Sequence, residues 1–386
     1  MTGLPLQGLV VLEFCQYLSG PSAGLRLADL GARVIKVEPP VTGDAGRKLS
    51  IRDLWVDESS LLFHTINRNK ESFAANLKDA DDLGAIKKII AKADVLIHNF
   101  RPGVMKKFGL DYTSVQSINQ KMVYAAISGY GKNGPWKNKP GQDLLLQSMT
   151  GLAYTTGNGN NGPVPFGIAI ADILCGAQLV QGILGALIRR HKTGRGALIE
   201  ISLMETLLDF QFELLTTYYT SNKQPQRSYI NNGHPLLSAP YGIYATTDGH
   251  LALAMMDIIE LARAIDCEAL YGFTAAQAFT ARDEIKDILV KHIAGASTAH
   301  WLSKLQLKEL WAMEVFDWEK MMQHEAYKLL KMEQKIYTGN KEMTTTRCPV
   351  RINGKRLFAD RPAPQVGEHN EIIYRDFISN GNTTRV

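Results

Sequence analysis

Leu9-Val10-Val11-Leu12-Glu13, then Ser19-Gly20-Pro21-Ser22-Ala23-Gly24, then Arg33-Val34-Ile35-Lys36-Val37 follow one another within the first forty residues, and their order decides the fold. An apolar run, a helix opened at Gly20-Pro21 and a second apolar run make a βαβ unit. Such units build parallel sheets that bind ligands at the carboxyl ends of the strands. A second cycle follows, with Ala80 to Ala93 as an amphipathic helix and Asp94 to Ile97 as a strand ending at Asn99-Phe100-Arg101-Pro102-Gly103. Val123 to Ile127 is a further strand, ending at Ser128-Gly129-Tyr130-Gly131. The spacing therefore predicts an α/β fold with several polar, glycine-bearing loops on one side.

Outward from that core, Gly151 to Pro165 reads as a flexible glycine- and asparagine-rich stretch delivering the chain to Asp172. A long apolar helix over roughly 171–190 follows, with Arg189, Arg190, His191 and Lys192 in its last turn and Gly194 beyond, where basic charge complements the helix dipole. Ala197 to Ser202 is a strand and Met204 to Tyr219 a helix. After Thr220 the composition shifts, and Tyr241 to Met255 predicts a hairpin about Thr247-Asp248-Gly249. Helical segments run from Ile258 to Met332, and strand and loop return from Thr344. The expected domains are 1–220, a smaller one over 221–340, and a segment over 341–386 returning to the first.

The 386 residues exceed what one hydrophobic core commonly serves, and a 45% hydrophobic, 21% charged composition is that of a globular protein. A net charge of +5 is too mild to argue for nucleic acid. Cys15, Cys175, Cys267 and Cys348 show no CxxC spacing, so neither a disulfide framework nor a zinc site is implied. The N-terminus lacks a signal-peptide pattern, and the apolar run Ile173 to Ile188 falls short of the ~20 residues that span a bilayer. A cytoplasmic location, with no membrane partner, is the expectation.

The motifs narrow the chemistry. No GxGxxG follows the first strand, and GxxxxGK[ST], HExxH and GxSxG are absent, which removes the main signals for nicotinamide, P-loop, zinc and serine-hydrolase chemistry. Among the acids, Asp143 and Asp172 stand in apolar surroundings beside glycine-rich loops. The commoner role of such an acid is a helix cap or first-turn charge. A carboxylate held ionised beside helix amides can also attack an activated acyl carbon. Lys36, Lys70, Lys78, Arg101, Lys106, Lys107 and Lys139 lie near strand ends, where they could meet phosphates; Lys78 and Arg101 are the better placed.

Taken together, several stretches carry a resemblance: Arg33 to Pro40 (RVIKVEPP), Asn67 to Ser72 (NRNKES), Ala93 to Gly103 (ADVLIHNFRPG), Ser128-Gly129-Tyr130-Gly131 with Gly134-Pro135, Gly141-Gln142-Asp143, Ala171-Asp172, His191 to Gly196 (HKTGRG), and Arg361-Pro362-Ala363-Pro364 with Gly367-Glu368-His369. In order and spacing they resemble the family III CoA-transferases, the formyl-CoA and carnitine CoA-transferase type, nearly from end to end.

The resemblance implies a Rossmann-like large domain built from both chain termini, a smaller α+β domain, and an interlocked homodimer. It makes Asp172 the nucleophile, which attacks an acyl-CoA thioester to give a mixed anhydride and then an aspartyl-CoA thioester, from which a carboxylic acid takes the CoA. The glycine-rich stretch ahead of Asp172 could help shield it from water, and amides there or at the helix start could hold the oxyanion.

Coenzyme A, as substrate rather than permanently bound cofactor, is expected against Gln16, Leu18, Ser19, Ala75, Lys78, Asn99, Phe100, Arg101 and Lys107, with Gln142 and Asp143 lining the site and no metal. Two departures stand out: Pro39 replaces the basic residue some members carry after Glu38, and Asn231-Asn232-Gly233-His234-Pro235 replaces a run of glycines. An α-methylacyl-CoA racemase is the nearest alternative, but that chemistry needs a histidine where Gln142 stands, since glutamine cannot accept and return a proton. A non-catalytic CoA-binding protein is the other. The acid is expected to be a dicarboxylate, with His234 or Arg227 as candidate partners for its free carboxylate.

Overall fold

Six short strands, five of them rich in Val, Ile, Leu or Ala and one opening on polar Lys70-Glu71-Ser72, form one parallel sheet: β1 (Val10–Phe14), β2 (Arg33–Glu38), β3 (Lys70–Ala74), β4 (Val95–His98), β5 (Val123–Ser128) and β6 (Ala197–Ser202). A computed structural model of the chain describes residues 3–359 and 361–379. The strand order is β3-β2-β1-β4-β5-β6, with every neighbouring pair parallel. This is the order of the doubly wound nucleotide-binding folds, in which the chain reverses direction across the sheet between the first and fourth strands. Leu12, Val34, Ile35, Leu96 and Ile97 are fully buried, as strands covered on both faces require.

The helices follow from their apolar spacing. Helix α1 (Ser19–Asp29) starts one residue before Gly20. Helix α2 (Ala80–Lys92) is capped by Asp79, whose carboxylate accepts from the Asp81 and Asp82 amides, and it buries Ala85, Ile86, Ile89 and Ile90. Helix α3 (Ile170–Thr193) buries Ala171, Cys175, Leu179, Ile183 and Ala186 along one face and ends on left-handed Gly194. Its 24 residues are long and apolar enough to cross a membrane. With that face buried in the protein, it is the kind of core helix that meets the same length and composition criteria.

The described residues fall into two compact units, one of Met1–Leu146, Ala169–Leu207 and Leu330–Val386, the other of Gln147–Ile168 and Leu208–Leu329. These differ from the expected divisions at 220 and 340. The predicted helix over 204–219 is in fact two, Leu203–Phe210 and Phe212–Ser221, and the return to strand begins earlier, with the hairpin Glu333–Thr338 and Lys341–Thr346.

The C-terminal segment docks on the first unit through its backbone. The Gly367 amide donates to Ser72 Oγ at 2.9 Å, the His369 amide to Ser72 O at 3.1 Å and the Ala74 amide to Asn370 Oδ1 at 2.9 Å, while Ile373 and Phe377 enter the core beside Phe73. The second unit has its own core around Tyr244, Leu251, Leu261, Ile285, Leu289 and Trp301, packed under the predicted hairpin, Gly242–Ala245 with His250–Leu253.

Candidate active site

The loops after β1 and β4 meet where the strand order reverses. The Gln16 amide donates to Asn99 Oδ1 at 2.9 Å, and Asn99 Nδ2 donates back to Gln16 O at 2.7 Å. This reciprocal pair fixes both loops at the place where doubly wound sheets hold ligands. A cavity of about 410 Å³ opens there, lined among others by Phe14, Gln16, Pro39, Ala75, Lys78 and Phe100. Four of the expected CoA contacts therefore line one hollow. Asn99 works behind it by holding Gln16. Arg101 and Lys107 are exposed on the loop and short helix that follow Phe100, and Leu18 is half-buried in the loop after β1.

Under the cavity lies an ionic network that the sequence does not announce. Lys36, fully buried, bonds Asp44 at 2.7 Å, Glu13 at 3.1 Å and the Cys15 carbonyl at 2.8 Å. Lys70, equally buried, bonds Glu13, the Pro21 carbonyl and Asn67 Oδ1, each at 2.8 Å. Burial pulls the Lys70 ammonium down to about 8 despite Glu13. For Lys36 the carboxylates overcome the same burial and hold its pKa above the usual lysine range. Burial also pushes the Glu38 carboxyl up, but Arg47 at 2.7 Å, Lys36 and the Ser72 hydroxyl more than offset this and hold it below its ordinary value.

Lys36 and Lys70 are thus structural ions rather than phosphate donors. Paired buried charges of this kind are costly to break, and here they tie the later parts of β1 and β2 to the start of β3. Pro39 is exposed at the rim.

Asp172 lies in the first turn of α3 and is half-buried. It does not cap its own helix, because the residue at the cap is Ala169 and makes no side-chain bond. Asp143 supplies that bond from a separate helix, accepting from the Ala171 amide at 2.6 Å. Burial, and secondarily the Asp143 charge, raise the Asp172 carboxyl to about 6, with a smaller opposing influence from the Ser19 side chain. The expectation of a carboxylate kept ionised by helix amides is corrected accordingly: the carboxyl is raised by burial, yet at about 6 it is ionised at neutral pH while partly desolvated. A partly desolvated carboxylate is a better nucleophile than a solvated one. Gln142 is exposed and opens the helix carrying Asp143 through its carbonyl, which accepts from Leu145 at 2.9 Å and Leu146 at 3.1 Å.

The glycine-rich stretch of the second unit is not free, contrary to the sequence reading. Arg227 donates to the carbonyls of Thr156 at 2.7 Å, Asn161 at 3.0 Å and Gly162 at 3.2 Å. Asn232 reaches Asn158 and Gly157, and Gln147 brackets Phe166. Arg227 is therefore spent on main chain, and His234 bonds Glu213 at 2.8 Å. Both are withdrawn as partners for a substrate carboxylate. A larger hollow of about 720 Å³ in this unit, bounded by Gly233, Tyr241, Ile243, Leu253, Trp311 and Met313, contains none of the residues expected to hold CoA.

Comparison with known proteins fits this arrangement. The chain is 32% identical to the acetyl-CoA:oxalate CoA-transferase of Acetobacter aceti, over 97% of this chain and 96% of that protein. It is 30% identical to the succinate–glutarate CoA-transferase of Agrobacterium fabrum, over 95% and 94%. Among solved structures, a CAIB/BAIF family protein from Brucella suis superposes with a TM-score of 0.85 at 29% identity, over 97% of this chain and all of that one. The sequence pattern of CoA-transferase family III matches residues 6–370, and the chain belongs to that family.

Proposed function

We propose that this CoA-transferase works through Asp172, moving CoA from an acyl-CoA to a dicarboxylic acid by way of an aspartyl anhydride and an aspartyl-CoA thioester. The observation that carries the reading is the environment of Asp172, whose half-buried carboxylate, raised to about 6, is ionised yet poorly solvated at neutral pH. Attack on the thioester carbonyl forms the C–O bond of the anhydride and releases CoA thiolate. The thiolate attacks the aspartyl carbonyl and releases the donor acid, and an incoming carboxylate reverses both steps.

Gln16, Ala75, Lys78 and Phe100 hold the nucleotide end in this reading, with Arg101 and Lys107 as the exposed cations nearest that loop. The dicarboxylate is supported by the relatives, whose names give oxalate, succinate and glutarate. A cytoplasmic homodimer completes the proposal, and the exposed Leu307, Trp311, Met313 and Trp318 suit an apolar face that a second copy covers.

The test is a mass measurement. Protein incubated with succinyl-CoA gains a CoA adduct on Asp172, and Asp172→Ala does not. Exchange of solvent deuterium into the α-position of a branched acyl-CoA, without CoA movement, would sink the proposal and favour racemisation.

A further inference from the structure

Three residues in a row on the loop after β1 have main-chain groups held by side chains from other parts of the chain. The Lys36 ammonium donates to the Cys15 carbonyl at 2.8 Å, Asn99 holds both the amide and the carbonyl of Gln16, and Asp44 Oδ1 accepts from the Tyr17 amide at 3.3 Å. Asp44 and Lys36 are themselves a buried ion pair at 2.7 Å. One ion pair thus straddles Gln16, fixing the residue before it and the residue after it. Gln16 and Asp44 both line the cavity of about 410 Å³.

Tyr17 is left-handed, at φ 63°. A residue with a Cβ is strained there and keeps the conformation only where its surroundings over-determine it. The Tyr17 ring is 51% exposed, so the hold is on the main chain. Asp44, 1% exposed, supplies it: the Oδ1 that accepts from Tyr17 also accepts from the Gly46 amide at 2.8 Å, and the Asp44 amide donates to Glu38 Oε2 at 2.8 Å. Gly46 lies against the same peptide, since a Cβ there would stand 3.5 Å from Tyr17 N. The carboxylate is therefore locked in the loop after β2 and shapes the loop after β1.

We propose that Asp44 is a positioning residue for coenzyme A, which imposes the left-handed turn at Tyr17 and so keeps Gln16 at the wall of the cavity. The inference rests on that cavity holding the nucleotide end of CoA. The Gln16 and Tyr17 amides are committed to Asn99 and Asp44. What Gln16 offers a ligand is its side chain, which makes no hydrogen bond among the described residues. A loop already ordered when the ligand arrives binds it more tightly than one that must be ordered by it.

The experiment is calorimetry of CoA binding to the full-length protein beside steady-state rates with succinyl-CoA. Asp44→Asn is isosteric and spares the buried lysine: its amide oxygen turns to the Lys36 charge, and its NH2 then meets the Gly46 and Tyr17 amides, donor against donor. CoA binding is expected to weaken roughly tenfold, and the loss shows in KM more than in kcat. Adding Tyr17→Gly to Asp44→Asn recovers most of the affinity, because glycine takes the left-handed conformation unaided. Adding Tyr17→Ala removes the same ring, keeps the Cβ and recovers nothing.

Native CoA affinity in Asp44→Asn, or equal affinity with glycine and alanine at position 17 in that background, would overturn the role. Lys78→Glu tests the site itself by reversing a charge on the cavity wall. Native affinity in that variant removes the reading of the cavity as the CoA site, on which the role depends, so the two failures are distinct.

Discussion

Asp143 caps the helix of Asp172 from outside it, its Oδ1 lying 2.6 Å from the Ala171 amide, one residue before Asp172. The contact fixes the first turn of α3 and places a second negative charge beside Asp172. It thereby joins position and electrostatics in one side chain.

These two effects separate in Asp143→Asn. The amide oxygen still accepts from Ala171, but the charge that helps burial raise the Asp172 carboxyl is gone. The acidic limb of the rate profile, near pH 6 in the native enzyme, should move to lower pH. A pH profile of CoA transfer checks this, and an unmoved limb would mean that the Asp143 charge does not reach Asp172 or that Asp172 does not govern the rate.

A raised carboxyl also has a cost in stability, and its sign follows from linkage. The folded value of about 6 stands above the ordinary 3.8, so the folded state binds the proton more tightly than the unfolded one. Stability from this group is full below about pH 4 and is lost as pH rises through 6. At pH 7.5 Asp172→Asn should therefore be more stable than the native protein, by roughly 1–3 kcal/mol, with the gap closing near pH 4. Thermal midpoints at the two pH values measure it, and an inactive variant with no such gain would place Asp172 in water rather than in a desolvated site.

The sequence made the sheet legible wherever strands were apolar: β1, β2, β4, β5 and β6 stand within a residue or so of their expected ends. It hid β3, because Lys70-Glu71-Ser72 looks like a loop. Those polar side chains are buried against partners contributed by Glu13, Glu38 and Asn67, and no local pattern shows that compensation. The same blindness made Lys36 look like a cation free to meet a phosphate. Asp172 is singled out by family resemblance alone, whereas the cap that Asp143 puts on its helix joins residues far apart in the chain. The glycine-rich stretch looked mobile because its composition lacks bulk, and what holds it, Arg227 and Asn232 above all, comes from more than sixty residues on.

Gly176 is the close approach that sets α3, one turn beyond Asp172, against the start of α1. In Gly176→Ala the new methyl meets the Ser19 carbonyl as well as a hydroxyl, and backbone cannot swing aside as a flexible side chain can. Helices α1 and α3 must part slightly, at a cost of about 1–3 kcal/mol. The expected outcome is a folded protein with a lowered thermal midpoint, native CoA affinity and a much reduced kcat. Calorimetry of CoA binding beside steady-state rates checks it, since native kcat would mean that the spacing of the two helices does not govern the chemistry.

Arg227 donates to three main-chain carbonyls of one loop, a task that needs the planar fork of a guanidinium. In Arg227→Lys a single ammonium replaces the fork and cannot serve Thr156, Asn161 and Gly162 in the same geometry. Arg227→Met removes the charge while keeping length. Both substitutions should raise amide hydrogen exchange across 155–164 and leave the strands of the parallel sheet protected, because local opening follows the loss of local bonds. Methionine should have the larger effect. Were the loop instead held by its own turns, exchange in 155–164 would match the native protein in both variants, and the guanidinium would have to be reconsidered as a ligand for substrate.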